Sequence, residues 1–304
     1  MQENWGIIGH EEIVNFLEQS LYKNRLAGTY LFHGLPHLGK TAVAEKFAEK
    51  LLGSAWPTTE LYKLEILEDK KDIGIEQVRE WRRSLGFKAF TDQYKVGIIY
   101  GAEKLNRESG NALLKTIEEP SPKTVLILIV SDSQTLLPTI ISRCQTIKFL
   151  PVAQNTLHRG LLAKAELDKK KLNLIESLAQ GRPGLAIQLA KNEDFFNEYV
   201  QGEDLAVKVL GSPLATRWQL LDGLLEPLEE ARAKVQAALN FLAHLENVLR
   251  SNLLAHYSSA PASVRPALNP GGLIKLFSLI NLSRRSLAGN VQPRLVLENL
   301  IINI

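Results

Sequence analysis

The stretch TYLFHGLPHLGKTAVAEKFAEKLL, residues 29–52, predicts how the first half of the chain folds. Residues 29–33 are mostly apolar or aromatic and predict a buried strand, whereas the apolar residues of 41–52 recur at spacings of three and four, as in an amphipathic helix. The turn between them, residues 34–41, fits the pattern G-x-x-x-x-G-K-T. A strand, this turn and a helix in succession are typical of a phosphate-binding loop.

Four residues carry the predicted chemistry of this loop: Gly34, Gly39, Lys40 and Thr41. The two glycines allow backbone N–H groups to face an anion at the N-terminus of the following helix. Lys40 supplies charge for the β- and γ-phosphates, and Thr41 supplies a hydroxyl for Mg²⁺. Pro36 removes one N–H donor from the loop. The alternative is a chance match in a glycine-rich turn, which the flanking strand and helix oppose.

A second strand, within KVGIIYGAEKL at 95–105, lacks the acid that a nucleotide hydrolase needs. ATPases with this kind of loop place an acidic residue after such a strand to hold Mg²⁺. Tyr100 and Gly101 stand there instead, and Glu103 falls beyond the predicted strand end, in a poor position for the metal. The alternative is that the strand VLILIVSD, 125–132, carries the metal on Asp132; the sequences that follow the two strands oppose this.

The first 150 residues alternate strands with helices. Predicted strands cover 29–33, 62–67, 95–100, 124–131 and 146–149, and predicted helices cover 11–25, 41–52, 75–85, 106–118 and 134–141. This alternation predicts a mainly parallel sheet covered by helices on both faces. After residue 152 the strands stop and the chain is predicted helical, including 229–257, 273–287 and 291–302, with a loop at 258–272.

Composition excludes several classes of protein. The 304 residues suffice for two or three domains, and 45% hydrophobic with 23% charged residues is usual for a globular protein. No apolar run approaches the ~20 residues of a membrane span, and the N-terminus resembles no export signal, so we expect a cytoplasmic protein without a membrane partner. The single cysteine, Cys144, excludes an internal disulfide and a multi-cysteine zinc site. The net charge of +3 permits nucleic-acid contact without indicating it.

Several motifs resemble one protein family. NALLKTIEEP at 111–120 and LLPTIISRCQ at 136–145, together with the phosphate loop, resemble the clamp-loader branch of the AAA+ proteins. The segments 7–34 and 290–301 resemble it as well, so the likeness spans nearly the whole chain. The resemblance implies an α/β P-loop (AAA+, RecA-like) domain over 1–150, a helical lid over 151–205 and an all-α collar domain over 206–304.

The resemblance also implies roles for particular residues. Arg143 falls on the arginine of the family's Ser-Arg-Cys motif, a finger that reaches the ATP of a neighbouring subunit. A guanidinium suits this role because it offers a fixed charge to the developing charge of a γ-phosphate. The alternative for Arg143 is an ordinary surface ion pair. Ile8 and Gly9 fall where the family places the adenine neighbourhood, residues 7–10.

Three departures from the family bear on catalysis. Motor subunits carry Asp-Glu where this chain has Tyr100 and Gly101. Gly184 aligns with the lid arginine that senses the γ-phosphate, and Arg182 lies two positions too early. The segment 53–65 lacks the cysteines of the family's zinc module, so no zinc is expected. We therefore expect a subunit that holds ATP or ADP with Mg²⁺ weakly or statically and does not hydrolyse ATP itself.

The resemblance implies a pentameric ring with motor (gamma/tau-like) and delta-like subunits, which opens a sliding clamp and places it on primed DNA.

One helix face carries three arginines at 3–4 spacing, Arg79, Arg82 and Arg83, which are candidates for DNA phosphate contacts. The alternative, which the pattern alone favours, is a solvated face or a subunit contact. Trp81 and Trp218 are predicted core or interface residues.

Three other functions stay open at this point. An active motor ATPase, either gamma/tau-like or similar to a small replication-factor-C subunit, is opposed by Tyr100 and Gly101. A stand-alone P-loop kinase or GTPase would need an acid for Mg²⁺ and has no need of a long helical C-terminal region. An adaptor could bind nucleotide only to hold its fold.

Overall fold

The computed structural model describes residues 4–53, 60–67, 70–86, 94–257 and 270–304, with the side chains of 254–257 and 270 left undescribed. The chain divides into two compact units, Met1–Ile187 and Gln188–Ile304. The first unit contains the phosphate loop and all the site residues predicted above.

A five-stranded sheet forms the centre of the first unit. Its strands are β1 (Thr29–His33), β2 (Leu61–Leu64), β3 (Lys95–Tyr100), β4 (Thr124–Val130) and β5 (Gln145–Lys148). Their order is β2-β3-β4-β1-β5, and every pairing is parallel. The carboxyl ends of all five strands therefore lie at one edge of the sheet and the amino ends at the other, and the predicted parallel sheet is confirmed.

Eight helices accompany this sheet along the described chain. They are α1 (Glu11–Tyr22), α2 (Lys40–Leu52), α3 (Ile75–Gly86), α4 (Arg107–Glu118), α5 (Pro138–Ile141), α6 (Gln154–Leu162), α7 (Lys169–Ala179) and α8 (Pro183–Lys191), the last of which crosses into the second unit.

Strand β4 shows why helices cover both faces of the sheet. All seven of its residues, TVLILIV, are buried, and successive side chains of a strand point to opposite faces. Ile127 accordingly packs into a core that includes Phe47 of α2, whereas Leu128 packs into a second core with Trp81 of α3 and Leu113 of α4. The near-continuous apolar sequence thus reflects burial on two sides.

The predicted helix 134–141 is wrong as a single element. The structure has a short 3₁₀ turn at Ser133–Thr135 and starts α5 at Pro138, its first helical residue. Proline has no N–H to donate and disfavours the helical conformation in the residue before it, so Leu137 is extended, with ψ of 132°. This break fixes where Arg143 lies, because Arg143 directly follows the short α5 and its C-cap residue.

The second unit consists of helices throughout its described part. They are α9 (Glu193–Gly211), α10 (Leu214–Leu225), α11 (Ala231–Tyr257), α12 (Pro270–Ala288) and α13 (Pro293–Ile302). Buried residues such as Phe241, Leu245 and Leu297 form its core, and Trp218 packs against that core as predicted. Most of the predicted loop at 258–272 lies outside the described residues.

The division into three domains stays a prediction. Helix α9 runs through residue 205, where the predicted lid ends. None of the helices within the described residues has the length and apolar character required to cross a membrane.

Candidate functional site

The phosphate loop connects β1 to α2 and depends on its two glycines. Gly34 and Gly39 have φ of 139° and 95°, a region that side-chain-bearing residues rarely adopt. A Cβ on Gly34 would also collide with the carbonyl oxygen of Phe149. Gly39 is the N-cap residue of α2, so the helix begins with Lys40 and Thr41, as the pattern requires. Thr41 is exposed at this helix N-terminus.

Lys40 directs its ammonium group back into its own loop. Its Nζ donates to the carbonyl oxygens of Gly34 and Leu35, the latter at 2.7 Å, and the residue is only 7% exposed. Burial lowers the pKa of Lys40 to about 8, against the opposing effect of the Glu103 carboxylate. The loop therefore holds its principal charge on internal acceptors, and an incoming phosphate must compete for it.

The middle of the loop is fixed by contacts on both sides. His37 has a positive φ of 63°, and its carbonyl accepts a hydrogen bond of 2.8 Å from the Gly184 N–H. Leu38 is buried, and its carbonyl lies 2.7 Å from His10 Nε2. Because a carbonyl can only accept, Nε2 must carry the proton; burial lowers the pKa of His10 and so favours this neutral ring.

The predicted adenine residues lie beside this loop. Ile8 is buried, and its side chain fills the space that a Cβ on Gly160 of α6 would need. The Cγ2 atom of Ile8 lies 2.6 Å from the position of that Cβ. Gly9 has a φ of 72°, and a Cβ there would come within 2.5 Å of Val152. Since His10 contacts the loop directly, the fold brings the predicted adenine and phosphate residues together.

At the end of β3 a phenol occupies the position of the motor subunits' metal acid. The Tyr100 hydroxyl donates to Glu45 Oε1 of α2 at 3.0 Å, and Lys63 Nζ lies 3.2 Å from the same oxygen. Burial, reinforced by the Glu45 carboxylate, raises the pKa of Tyr100, so the phenol stays protonated and remains a donor. Glu45 was not predicted, because only the fold shows that α2 turns this carboxylate toward the β3 end.

The site therefore fits the phosphate groups of a Mg²⁺-nucleotide better than it fits the metal ion. Gly34, Gly39, Lys40 and Thr41 fit phosphate groups at a helix N-terminus. For the metal, Tyr100 supplies no carboxylate, and the described part of the chain contains no cluster of three or more His, Cys, Asp or Glu residues suited to a metal ion. The zinc prediction involves 53–65, of which 54–59 lie outside the described residues.

Glu103 lies nearer the loop than its place in the sequence suggested. Gly101, with φ of 62°, starts a 3₁₀ turn that carries Glu103 back over the sheet edge. Glu103 Oε1 accepts a hydrogen bond of 3.3 Å from the Ser131 N–H at the end of β4, and its charge acts on Lys40. The other oxygen is buried without a hydrogen-bond partner among the described residues. The charge of Glu103 thus acts on Lys40, while its poor position for the metal stays a prediction.

A main-chain contact is made at Gly184, the residue that the sequence resemblance aligns with a sensor arginine. Gly184, in the first turn of α8, approaches the loop so closely that a Cβ would lie 2.8 Å from the His37 carbonyl oxygen. Arg182 donates to the carbonyls of Ala179 and Leu178, at 2.9 and 3.1 Å. Its guanidinium thus binds the C-terminal end of α7.

Arg143 lies at the sheet edge opposite to the phosphate loop. It comes two residues before the amino end of β5, whereas the loop follows the carboxyl end of β1, and a five-residue strand spans about 15 Å. Its guanidinium donates to the Thr139 carbonyl at 3.0 Å, to Ser142 Oγ at 3.4 Å and to Glu118 Oε1 at 3.3 Å. The Arg143 side chain is 36% exposed, which leaves it accessible to another subunit.

The three predicted DNA-contact arginines meet at one groove near the same edge. This groove of about 460 Å³ is lined by Arg79, Arg82, Arg83, Leu85, Gly86, Lys115, Thr116, Glu119, Ser121 and Thr124. Arg79 pairs with Glu76 at 2.6 Å, and Arg82 donates to the Ala112 carbonyl of α4 at 2.7 Å. Four cations and one carboxylate give the groove a positive balance. Lys115 was not predicted, because it lies on a different helix.

Comparison with known proteins finds relatives of similar sequence. Residues 9–153 match the family described as "DNA polymerase III, delta subunit". The chain is 36% identical over 118 residues to DNA polymerase III subunit delta' of Haemophilus influenzae, covering 39% of this chain and 36% of that relative. It is 34% identical over 220 residues to subunit delta' of Pseudomonas aeruginosa, covering 63% and 66%.

Two further comparisons concern a tau/gamma subunit and a gamma-subunit-related protein. The chain is 34% identical over 153 residues to subunit tau/gamma of H. influenzae, covering 45% of this chain and 22% of that relative. The crystal structure of a gamma-subunit-related protein from Thermotoga maritima superposes with a TM-score of 0.56 at 20% identity, covering 94% and 97% of the two chains, and so shares the fold. The matches to these curated relatives span about a fifth to two thirds of their lengths.

The parallel sheet, the phosphate loop and these matches identify the class: the chain belongs to the AAA+ clamp-loader family. Within this family it is delta-prime-like, resembling the delta' subunits of bacterial DNA polymerase III.

Proposed function

We propose that the chain is a delta-prime-like subunit of a DNA polymerase III clamp loader, which helps load the sliding clamp onto primed DNA during replication. It does not hydrolyse ATP itself and supplies Arg143 as a finger to the ATP site of a neighbouring motor subunit. The observation that carries this proposal is the hydrogen bond from Tyr100 to Glu45, at the position where a motor subunit needs an acid for Mg²⁺.

The position and exposure of Arg143 support the finger role. The residue lies at the amino edge of the sheet, away from its own phosphate loop, and hydrogen bonds to the Thr139 carbonyl and to Ser142 Oγ restrict its orientation. A guanidinium at an exposed edge can act on a phosphate held by another chain. Arginine fingers are worth ~10³–10⁵ in rate where they act directly on phosphoryl transfer.

For its own nucleotide, the subunit binds ATP or ADP weakly or statically. The phosphate-binding residues support binding, whereas the internal hydrogen bonds of Lys40 and the phenol at Tyr100 oppose tight, metal-dependent binding. The nucleotide then acts as a structural ligand, with adenine near Ile8 and Gly9 and phosphate at the loop.

The partners proposed are motor (gamma/tau-like) and delta-like subunits in a pentameric ring, with the clamp and DNA engaged through the complex. The groove of Arg79, Arg82, Arg83 and Lys115 supports a contact to DNA phosphates, because clustered guanidinium and ammonium groups suit a polyanion. Arg83 contributes most to such a contact, since Glu76 and the Ala112 carbonyl engage the other two arginines.

The test uses the complete complex, reconstituted from this chain with motor and delta-like subunits of the same organism. We expect Arg143→Ala to change the free energy of unfolding of this chain by no more than the ~0.5 kcal/mol typical of surface substitutions, so its melting temperature should stay close to that of the wild type. DNA-stimulated ATPase should fall only in part, because one of several sites loses its finger, while clamp loading should fall further. Arg25→Ala, an exposed arginine of the same unit, is the control. Unchanged ATPase and loading with Arg143→Ala would make Arg143 a surface ion pair.

A further inference from the structure

The carboxylate of Glu118 binds the guanidinium of Arg143 and belongs to the motif NALLKTIEEP, to which the proposed function assigns no task. Arg143 Nη2 lies 3.3 Å from Glu118 Oε1, while Nη1 contacts the Thr139 carbonyl. The guanidinium is thus held between two elements, the C-terminal end of α4 and the single turn of α5.

The sequence of α4 explains why Glu118 lies beside Arg143. Gly110, Leu114 and Glu118 recur every four residues and therefore share one face of the helix. At Gly110 the absence of a side chain admits Leu137 and Ile140, whose Cδ1 atoms lie 3.3 and 3.7 Å from the position of a Cβ. This close approach fixes α5 against α4, and two turns further along the same face Glu118 meets the residue after the C-cap of α5.

The backbone at Arg143 is fixed as well. The N–H groups of Ser142, Arg143 and Cys144 donate to Pro138, Ile140 and Ile141 at 3.0–3.1 Å, which continues the turn of α5. The remaining freedom of Arg143 is in its long side chain, and this freedom is what Glu118 restricts. Glu118 itself is 55% exposed, so the pair contributes little to the stability of the fold.

We propose that Glu118 is the positioning residue of the Arg143 finger: it aligns the guanidinium toward the neighbouring subunit before the phosphate charge develops. This inference rests on the proposed function of Arg143. A group that acts in the transition state is more effective when its orientation is set in advance, because reorganisation is then not part of the barrier. Glu118 engages one N–H of Nη2, which leaves the other N–H of Nη2 and the N–H of Nε available for a phosphate.

The test compares complexes that contain Glu118→Gln, Glu118→Asp, Arg143→Ala and the double variant Glu118→Gln/Arg143→Ala. An exposed ion pair corresponds to a factor of about two to five, so we expect Glu118→Gln to lower the rate at the one ATP site that Arg143 serves by that factor. The kcat of DNA-stimulated ATPase of the whole complex should therefore fall by less than with Arg143→Ala, at an unchanged KM for ATP. Glu118→Asp keeps the charge and should recover part of the loss. In the Arg143→Ala background Glu118→Gln should have no further effect. Glu108→Gln, an exposed glutamate of the first turn of α4, is the matched control.

The outcomes separate the two proposals. If Arg143→Ala impairs the complex while Glu118→Gln equals the wild type, the positioning role is wrong and the finger stands. If Glu118→Gln and Arg143→Ala act additively in the double variant, or if Glu118→Gln raises kcat, Glu118 does not position the guanidinium of Arg143. If Arg143→Ala itself has no effect, the proposed function fails. A lower melting temperature for Glu118→Gln with no recovery by Glu118→Asp would make Glu118 a structural residue.

Discussion

Lys40 is the residue on which the phosphate chemistry of the loop depends, and the fold keeps its ammonium group largely away from water. Its Nζ donates to two carbonyls of its own loop, and the Glu103 carboxylate supplies the nearby negative charge. A bound phosphate must replace these acceptors. Part of the interaction energy of the phosphate is therefore lost, which is the physical reason to expect weak binding.

Lys40 should also give the protein a characteristic pH dependence. Its pKa is about 8 in the folded chain against an ordinary value of 10.5, so between these values the unfolded chain carries a proton that the folded chain has lost. Raising the pH through this window therefore favours the folded state. Below about pH 8 both states are protonated, and the buried charge destabilises the fold by up to about 3 kcal/mol.

The measurement is chemical denaturation of the wild type and Lys40→Met between pH 7 and 10. We expect the free energy of unfolding of the wild type to rise relative to the variant as the pH increases, because Met has no proton to lose. Thr41→Ala, which changes the neighbouring residue without removing a charge, is the control. Parallel curves for wild type and Lys40→Met would contradict the lowered pKa.

At the scale of elements, helix α8 touches the phosphate loop through its own backbone. The Gly184 N–H binds the His37 carbonyl at 2.8 Å, and no side chain intervenes. The family resemblance implies an arginine that senses the γ-phosphate at the position of Gly184. Here the contact is internal to the protein and needs no nucleotide, so the α8 start and the loop are coupled in the absence of ligand.

Substitution of Gly184 tests this coupling. Gly184→Ala places a Cβ 2.8 Å from the His37 oxygen, and both the loop and the start of α8 must move. We expect a loss of about 1–3 kcal/mol in the free energy of unfolding, as for other overpacked sites. Gly223→Ala is the control, because a Cβ there meets nothing within 4 Å on α10 and alanine should be neutral or stabilising by up to ~1 kcal/mol. Equal stability of the two variants would show that the loop and the start of α8 can move to accommodate the Cβ without a loss of stability.

At the scale of the whole first unit, the two edges of the sheet carry different features. The carboxyl edge holds the phosphate loop, Tyr100 and Glu103, and the amino edge lies next to Arg143 and the positively charged groove. Because all strands are parallel, these two sets are separated by the length of the strands. The arrangement suits a subunit that gives an arginine at one edge and keeps a static nucleotide site at the other.

The isolated chain should accordingly bind nucleotide without turning it over. Tyr100 supplies no metal ligand and Gly184 no sensing charge, so we expect no ATPase above background. Mg²⁺ should change the affinity for ATP by less than about tenfold. Calorimetric titration with ADP, and with ATP in the presence and absence of Mg²⁺, measures the second quantity.

One result would contradict the prediction that the chain does not hydrolyse ATP. Steady ATP turnover that disappears in both Lys40→Ala and Glu103→Gln would identify Glu103 as a displaced catalytic acid and the chain as an active motor. Glu103 is the appropriate residue to vary, since its charge acts on Lys40 and one of its oxygens has no hydrogen-bond partner among the described residues.

Much of the first unit could be predicted because its sequence signals are local. The alternation of strands and helices, the G-x-x-x-x-G-K-T loop and the run TVLILIV each depend on neighbours a few residues apart. The helix predicted over 134–141 was wrong because the apolar spacing continued through Pro138, where the chain must interrupt the helix. The effect of Glu103 on Lys40 was not predicted, because a turn at Gly101 redirects the chain within two residues.

The sequence by itself determined the fold class, the phosphate loop, the absence of an acid at Tyr100 and Gly101, and the arginine in SRC. Only the tertiary structure decided which side chains complete these features: Glu45 at Tyr100, Gly184 at His37, Glu118 at Arg143 and Lys115 in the groove. Each of these pairs joins residues that are 25 or more positions apart along the chain. Their encounter depends on helix orientation and on close packing at glycines, which no local pattern encodes.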